Sequence, residues 1–395
     1  MTVDAETIGR RLQQARLIAG FSQAFVAERL GVPRPAISLI ESGQRSVSGV
    51  EVAKLAELYG RTIGSFFGEN GTSSEDNEEQ IIEYYRAAIP ARSINRARVA
   101  RAITWFKEYA RLEEDAFGEQ RYDVPLYPAP RGNAVSQGEY LADQERHRLK
   151  LGTAPILSLI DLLEQQGVKV LRQRLSSASQ VSGSYFFSAG LGPCVVINSS
   201  ELPSRQRFTT AHEYAHFLIE RATRPGDVCV TTRHREVAEM RANSFAAAFL
   251  LPAAGIEEFL TNRSIQRNQV DAEQVIHLMY HFRVSYRATL WRLFNLSWIT
   301  VEQRRQLEAI SPGALARVLG YADHELGATE HEPDRFRGVA IKAWRVGRLS
   351  LADLARHLQL PQQEVQIALT SAERAERAER PEPRAPRVLA EPDWF

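Results

Sequence analysis

The stretch "RFTTAHEYAHFLIE", residues 207–220, places His212 and His216 four positions apart, with Glu213 directly after the first histidine. Side chains four residues apart lie on one face of an α-helix, so both imidazoles can bind the same ion. A hydrolytic zinc site uses three protein ligands and leaves one position open for water, whose proton a neighbouring carboxylate accepts. The motif therefore predicts a Zn²⁺ site with His212 and His216 as ligands and Glu213 as general base. The alternative is a helix whose histidines are hydrogen-bonded core residues.

A third metal ligand must come from another part of the chain. The downstream candidates are Asp227, His234, Glu236 and Glu239. Glu239 begins "EMRANSFAAAFLLP", residues 239–252, a predicted helix whose small residues allow close packing against the His212 helix. We therefore favour Glu239 and keep Glu236 as the second choice. Both acids also suit a helix N-terminus without any metal, because they complement the helix dipole.

The composition of the 395-residue chain is typical of a soluble globular protein with several domains. Its net charge of +1 gives no general argument for nucleic-acid binding. The two cysteines, Cys194 and Cys229, are too far apart for a Cys-x-x-Cys site, so we expect a reducing cytoplasm. The longest apolar run, around residues 246–256, is interrupted by Pro252 and falls short of the ~20 residues that a membrane span needs. Neither a membrane partner nor a secretory signal is expected.

The first seventy residues predict a compact set of short helices with glycines at their ends. Within them, "SQAFVAERLGVPRPAISLIESGQRS", residues 22–46, resembles the helix-turn-helix of the XRE family, the phage Cro and repressor type. The resemblance implies binding to a double-stranded DNA operator. Residues at the start of the second helix and of the recognition helix approach DNA in that family, and these positions are Gln23, Arg34 and Ser38 here.

The character of these side chains supports the same assignment. Arg34 suits a guanine edge, and Gln44 and Arg45 suit phosphates. Pro33 and Pro35 depart from the usual serines, although the first turn of a helix tolerates proline. Residues 1–70 contain eight Lys/Arg and seven Asp/Glu, so affinity for DNA cannot depend on overall charge. A helical interaction domain is the alternative, and a homodimer is expected because helix-turn-helix proteins usually bind paired half-sites.

The segments 207–220 and 239–252 together resemble the ImmA/IrrE metallopeptidases, whose signature pairs His-Glu-x-x-His with Glu-x-x-Ala-Asn-x-Phe-Ala-Ala and a proline. The resemblance includes "LIDLLEQQGVKV", "PCVVIN" and "RVSYRATLWRLFNL" and covers roughly residues 140–300. It implies that His212, His216 and Glu239 bind zinc and that Glu213 is the base. It also implies a protein substrate, an XRE-type repressor, whose cleavage induces mobile-element or stress genes.

The pattern along the chain predicts a multidomain protein. An all-α helix-turn-helix domain (1–70) is followed by a linker and helical connector (71–120), with one long helix in residues 93–118. An α+β, mostly helical zincin-like domain with a small sheet follows at 121–300, with two short strands in residues 182–200 and an irregular stretch at 221–234. A helical region (301–370) and a low-complexity, disordered tail (371–395) complete the chain.

Other polar residues near the predicted site are weaker candidates. Tyr280, His281 and Tyr286 lie in or before a helix and are candidates to stabilise an oxyanion, although packing roles are more typical. Asn198 ends a predicted strand and suits either substrate backbone or a turn. Residues 335–369 again have the pattern of a helix-turn-helix, which we interpret as a surface for dimer packing.

Taken together, the sequence predicts a cytoplasmic zinc-dependent endopeptidase fused to a sequence-specific DNA-binding domain, acting in transcriptional control. One alternative is a DNA-binding regulator whose peptidase-like domain is a sensor or scaffold. Another is a partner-binding component of a toxin-antitoxin or phage-defence system.

Overall fold

The computed structural model describes residues 4–18, 21–59, 63–67, 94–119, 122–128, 131–174, 181–188, 190–221, 226–230, 237–321 and 334–379. The chain divides into two compact units. The first comprises Met1–Arg111 and Gln120–Arg335, and the second comprises Leu112–Glu119 and Phe336–Phe395. The fold is mostly helical with one small sheet, which confirms the predicted class.

The N-terminal helices surround a hydrophobic core of their own. They are α1 (Ala5–Ile18), α2 (Gln23–Leu30), α3 (Arg34–Glu41) and α4 (Gly49–Tyr59), followed by a 3₁₀ turn, Ile63–Phe66. The Ser22 hydroxyl accepts from the amide of Phe25 and starts α2, and Gly31 ends it in the left-handed conformation (φ 74°). The buried residues that join the helices are apolar: Leu12, Val26, Ile37, Ile40 and Leu55.

A buried ion pair joins the first and third of these helices. The Arg16 guanidinium donates from Nε and Nη2 to the two carboxylate oxygens of Glu41, at 2.5 and 3.0 Å. Its Nη1 also donates to the carbonyl of Phe21 (2.7 Å) at the start of the turn before α2. Because bidentate pairing fixes both position and angle, this contact sets the direction of α3 relative to α1.

The larger domain contains more helices and a sheet. Its elements are α5 (Ile94–Phe117), α6 (Ala134–Arg148), α7 (Leu159–Gln165), β1 (Lys169–Gln173), β2 (Val181–Ser188), β3 (Gly192–Asn198), α8 (Pro203–Glu220), β4 (Gly226–Val230), α9 (Val237–Leu250), α10 (Ala253–Thr261), α11 (Ala272–Phe282), α12 (Tyr286–Asn295), α13 (Val301–Glu308) and α14 (Pro312–Val318). Helix α5 confirms the long helix predicted within residues 93–118.

The sheet has the strand order β1-β3-β2-β4, in which β1 runs parallel to β3 and the other pairs are antiparallel. Successive residues of β3 face opposite sides. Val195 and Ile197 join the main core, and Cys194 and Val196 join a second core formed with α5. Because both faces of β3 are covered, its sequence is a continuous apolar run. Strand β4 corrects the prediction of an irregular stretch at 221–234, since residues 226–230 pair with β2.

Helix α8 is buried along most of its length, between the sheet and helix α9. Helix α9 also packs closely on α6 at Gly138. A Cβ atom at that glycine would lie only 2.7 Å from the Phe245 amide nitrogen and 2.7 Å from the Cβ of Ser244. The absence of a side chain at Gly138 therefore allows the backbones of α6 and α9 to approach each other.

One stretch of the described residues, Val237–Thr261, is long and apolar enough to cross a membrane by composition. It consists of α9 and α10, which are separated at Pro252, and 61% of its most apolar window is buried in the fold. The stretch is accordingly part of the core.

The second unit contains α15 (Asp334–Arg345), α16 (Leu351–Leu358) and α17 (Gln362–Glu379), except for the first two residues of α15. Helix α17 extends to Glu379, past the predicted boundary at 370, and residues 380–395 lie outside the described residues. At the end of α5, the Phe117 ring lies 4.0 Å from the Lys342 ammonium of α15, a cation-π contact.

We expect Gly138→Ala to lower the free energy of unfolding by about 1–3 kcal/mol, because the added methyl group forces α6 and α9 apart. The measurement is urea denaturation followed by circular dichroism. The control is Gly313→Ala in α14, where an added Cβ meets nothing within 4 Å, so stability should be equal or slightly higher. Equal midpoints for Gly138→Ala and the unchanged protein would contradict the close approach.

Candidate metal centre

Two histidines of α8 face each other inside the larger domain. Helix α8 begins at Pro203, a residue suited to a first helical turn, and carries His212 and His216 one turn apart. Their Nε2 atoms are 3.0 Å apart, and the rings meet edge to face at 74°. Both side chains are buried, so the helix holds the two nitrogen donors in one dry location.

Glu239 completes a cluster of three donor groups from the first turn of α9. One carboxylate oxygen lies 3.2 Å from Nε2 of His212, and the other lies 3.4 Å from Nε2 of His216. Ligand atoms on a tetrahedral zinc ion at its usual bond lengths are separated by about 3.3 Å. The two nitrogens and the carboxylate therefore fit a zinc ion in both donor chemistry and spacing. Among the described residues, this is the one cluster of three such groups.

Each histidine has a second partner that fixes its orientation. Nδ1 of His212 donates to Oδ1 of Asn243 (3.1 Å), and Nδ1 of His216 donates to Oε2 of Glu220 (3.2 Å). Because these oxygens only accept, the proton stays on Nδ1 and Nε2 faces the cluster. Glu220 is itself paired with Arg241, which also donates to Gln137 at 2.8 Å.

The charges of the cluster are coupled. Burial opposes ionisation of Glu239, but its contacts with His212 and His216 outweigh burial and hold the pKa of this carboxyl well below its usual range. Burial lowers the pKa of His212. Burial also disfavours a charge on His216, yet its hydrogen bonds to Glu220 and Glu239 raise its pKa to about 10. A metal ion that binds here must displace a proton from His216, so binding weakens as pH falls.

Glu213 lies beside the cluster and faces strand β2. Its side chain is completely buried, and Oε1 would be 3.1 Å from a Cβ atom placed on Gly183. The same Cβ atom would lie 2.6 Å from Cγ2 of Thr209, so only glycine fits at this point of the strand. Next to it on β2, the ring of Tyr185 stacks on His216, with centroids 5.6 Å apart and planes at 12°. Strand β2 thus forms one wall of the site.

Among the candidate ligands other than Glu239, the structure describes only the backbone of Asp227. Asp227 lies in β4, where its backbone pairs with Tyr185. His234 and Glu236 lie outside the described residues. Glu239 is the candidate that lies within hydrogen-bonding distance of both histidines.

The candidates for oxyanion stabilisation have contacts of other kinds. Tyr280 stacks on Tyr321, His281 lies against Phe259, and the Tyr286 hydroxyl donates to the Leu307 carbonyl. These contacts belong to the packing of the helices that follow α9. Asn198 stabilises the turn after β3, because its Oδ1 accepts from the amide of Ser200 (3.0 Å).

The predicted DNA contacts differ in their surroundings. Arg34 and Ser38 are exposed on α3, and Gln44 is exposed after it. Gln23 donates to the buried Glu41 (2.9 Å), and Arg45 donates to Glu51 (2.8 Å). Contact of these five residues with DNA stays a prediction, and two of them already have partners within the domain.

Sequence reasoning missed the residues that support the histidines. Glu220 is four residues after His216, and Asn243 is four residues after Glu239, so both lie on the same helix faces as the cluster. The spacing was a usable signal. No spacing in the sequence indicates Tyr185, because its stacking on His216 depends on how the sheet packs against α8.

Comparison with known families agrees with this geometry. A model of the IrrE N-terminal-like domain, a peptidase family, matches residues 163–294, and a helix-turn-helix model matches residues 12–66. The chain joins an XRE-type helix-turn-helix domain to an IrrE-like domain. The first domain type indicates DNA-binding regulation, and the second indicates a metallopeptidase-like protein. Both matched ranges lie within the predicted domains 1–70 and 121–300.

No curated protein matches the chain. Among solved structures, the chain is similar to the crystal structure of ComR from Streptococcus suis, at 11% identity over 95% of this chain and 97% of that one. The TM-score is 0.16, which is too low to support any argument about the IrrE-like domain or the helix-turn-helix.

We expect Asn243→Ala to weaken zinc binding by roughly 10–100-fold, because His212 loses the acceptor that fixes its ring. Competition with a chromogenic chelator measures the affinity. The control is Asn262→Ala, at the exposed end of α10, which should leave the affinity unchanged. Equal affinities for all three proteins would show that the Asn243 contact does not orient the ligand.

Proposed function

We propose that this protein is a cytoplasmic, DNA-binding transcriptional regulator with zinc-dependent endopeptidase activity. The observation that carries the proposal is the spacing of the His212, His216 and Glu239 donor atoms, 3.0–3.4 Å, in a buried cluster beside a fourth ionisable group. In this proposal His212, His216 and Glu239 hold the metal. The resemblance to zinc peptidases of the IrrE-like family supports the choice of metal.

Glu213 has the role of general base. A zinc ion held by His212, His216 and Glu239 would supply an acidified water and polarise a peptide carbonyl. The carboxylate of Glu213 would accept the proton of that water and deliver it to the leaving amine. Its position next to His212 and its burial against Gly183 favour this task, because a carboxylate held in a dry wall has few alternative orientations.

The sheet supports a peptide as substrate. Strand β4 is an edge strand, and it pairs on one side with β2, the strand that contributes Tyr185 to the wall of the site. An extended peptide can add to such an edge by main-chain hydrogen bonds. We propose that the substrate is a protein of the XRE-type repressor class, as the family resemblance implies.

The N-terminal domain supplies the link to DNA. In this proposal a homodimer places α3 in the major groove of a double-stranded operator, with Arg34 and Ser38 at base edges and Gln44 at a phosphate. Gln23 and Arg45 also contact DNA in this proposal. To do so they break the hydrogen bonds that they donate to Glu41 and Glu51. The exposure of Arg34 at the first position of α3 supports this placement.

We expect Glu213→Gln to reduce substrate cleavage by about 10²–10⁴-fold while zinc stays bound, because the amide keeps the shape of the side chain but cannot accept the proton. The assay incubates the purified protein with helix-turn-helix repressors encoded near its gene, with and without a chelator. His212→Ala is the comparison and should lose both zinc and cleavage.

Two results would contradict the peptidase proposal. Full zinc retention in His212→Ala would remove the proposed ligand set. Normal induction of the regulated genes in cells that carry Glu213→Gln would show that the domain regulates without proteolysis, as a sensor or scaffold.

We expect Arg34→Ala to weaken specific operator binding by about 1–3 kcal/mol and to relax specificity at one base pair. Fluorescence anisotropy with operator duplexes selected by the unchanged protein measures this loss. The control is Glu28→Ala on the exposed side of α2, which should not reduce affinity. Unchanged affinity of Arg34→Ala would assign the base contact to another residue.

A further inference from the structure

The C-terminal unit repeats the sequence pattern of the N-terminal helix-turn-helix. When the chain is shifted by 328 residues, Ser350 corresponds to Ser22 and Pro361 corresponds to Pro33. The same shift places α15 (Asp334–Arg345) on α1 (Ala5–Ile18) within one residue at each end. Identical residues between the two motifs are few: Ala343, Ser350, Ala352, Ala355, Leu358 and Pro361.

The backbone of the second motif matches that of the first at each turn. Ser350 caps α16 by accepting from Asp353, and its φ and ψ are −74° and 158°, against −78° and 154° at Ser22. Gln359 ends α16 in the left-handed conformation (φ 56°, ψ 36°), as Gly31 ends α2 (φ 74°, ψ 32°). The next amide returns to the helix in both motifs, from Leu360 to Ala355 and from Val32 to Ala27, at 3.0 Å each.

Five buried positions correspond between the two motifs: two adjacent residues in the first short helix, one in the last helix and two in the helix before it. Helix α3 also buries Ile40 and Glu41, whose counterparts Ala368 and Leu369 are exposed and half-buried. The pairs are Val26 and Leu354, Ala27 and Ala355, Ile37 and Val365, Leu12 and Ala340, and Ala15 and Ala343. The turn between α16 and α17 therefore has the geometry of the turn between α2 and α3, and five buried positions correspond.

The two motifs differ at the positions that carry the charged and polar contacts of the first motif. The ion pair between Arg16 and Glu41 is replaced by Trp344 and Leu369, and Gln23 by Leu351. These changes remove the buried ion pair of the first motif, while the helix cap and the turn between the two short helices keep their geometry.

The charge of the second motif favours a nucleic acid. Residues 335–369 contain six basic and only two acidic residues, namely Arg335, Arg337, Lys342, Arg345, Arg348 and Arg356 against Asp353 and Glu364. Binding to DNA gains affinity when basic side chains replace the counterions of phosphates. The corresponding residues 7–41 of the first motif contain five basic and two acidic residues, so the two motifs have a similar excess of positive charge.

The first turns of α17 expose side chains of types that suit contacts with base edges. Gln362 and Gln366 are exposed at the positions that correspond to Arg34 and Ser38, and glutamine pairs with the N6 and N7 atoms of adenine. Ile367 is 60% exposed, and its counterpart Leu39 on α3 is 41% exposed. An exposed aliphatic side chain at this position suits the methyl group of thymine, so it does not by itself indicate a protein interface.

We propose that α15, α16 and α17 form a second DNA-reading domain, in which α17 enters the major groove of double-stranded DNA at an A·T-containing half-site. Gln362 and Gln366 contact adenine edges, and Arg348 and Arg356 contact phosphates. This goes beyond the function proposed above, which uses α3 alone to read sequence.

The test uses the full chain and a pool of random-sequence DNA duplexes. The unchanged protein should enrich two distinct motifs. The double variant Gln362→Ala with Gln366→Ala should lose the A·T-containing motif alone, and Arg34→Ala should lose the other motif. Fluorescence anisotropy with a duplex that carries the A·T-containing motif should show an affinity roughly 10-fold weaker for each glutamine removed. Ser371→Ala, exposed farther along α17, is the matched control and should bind as the unchanged protein does.

Circular dichroism should show that the double variant keeps its helices, because both glutamines are exposed. Enrichment of a single motif that Arg34→Ala abolishes and the double variant leaves intact would overturn the proposal. So would a double variant with unchanged DNA selection but an altered oligomeric state in light scattering, which would assign α17 to an interface between copies of the chain. Both results leave the function proposed for α3 standing.

Discussion

The burial of helix α8 is the constraint on which the rest of the larger domain depends. The helix lies between the sheet and α9, yet it carries His212, Glu213, His216 and Glu220. An unpaired ion in such a place costs several kcal/mol, so each group needs a specific partner. Glu239, Asn243 and Arg241 supply partners for His212, His216 and Glu220 from a single helix, which fixes the register of α9 against α8. The close approach of α6 to α9 at Gly138 is a second, steric constraint on the position of α9.

The opposite side of α8 is anchored by a second buried polar network. The Tyr214 hydroxyl donates to one oxygen of Glu145 (2.6 Å), and the Tyr127 hydroxyl donates to the other (2.8 Å). Arg148 pairs with the same carboxylate at 2.7 Å. Burial raises the pKa of Tyr214 well above its usual value, so its hydroxyl stays a donor to Glu145 throughout the physiological range. A helix held by polar contacts on both sides cannot rotate, and the histidines keep their spacing.

The parts of the site that sequence could predict are those set by local periodicity. His212 and His216 follow from helical spacing, and Glu239 follows from its place in the first turn of a helix with small residues. Strand β4 was missed because a five-residue strand has little periodicity, and its pairing with β2 is a tertiary event. Glu220 and Asn243 orient the two histidines because particular faces of α8 and α9 pack together. Sequence spacing shows which residues share a helix face, but it does not show which faces are in contact. Gln23 matches a family position for DNA contact, but its bond to Glu41 emerges only when α1 and α3 are joined.

The metal centre and the two helix-turn-helix motifs differ in how strictly their geometry constrains sequence. The centre needs particular donor atoms at separations near 3 Å, so few residue types can occupy its positions. A helix-turn-helix needs a cap, a left-handed residue and a few buried aliphatic side chains, which many sequences provide. Gln359 takes the left-handed conformation that Gly31 takes in the first motif, at a modest cost in strain. Trp344 and Leu369 stand at the positions that correspond to Arg16 and Glu41. A metal centre is therefore easier to recognise from sequence than a helix-turn-helix. The metal centre requires particular ligand atoms, whereas the helix-turn-helix requires only a particular backbone path.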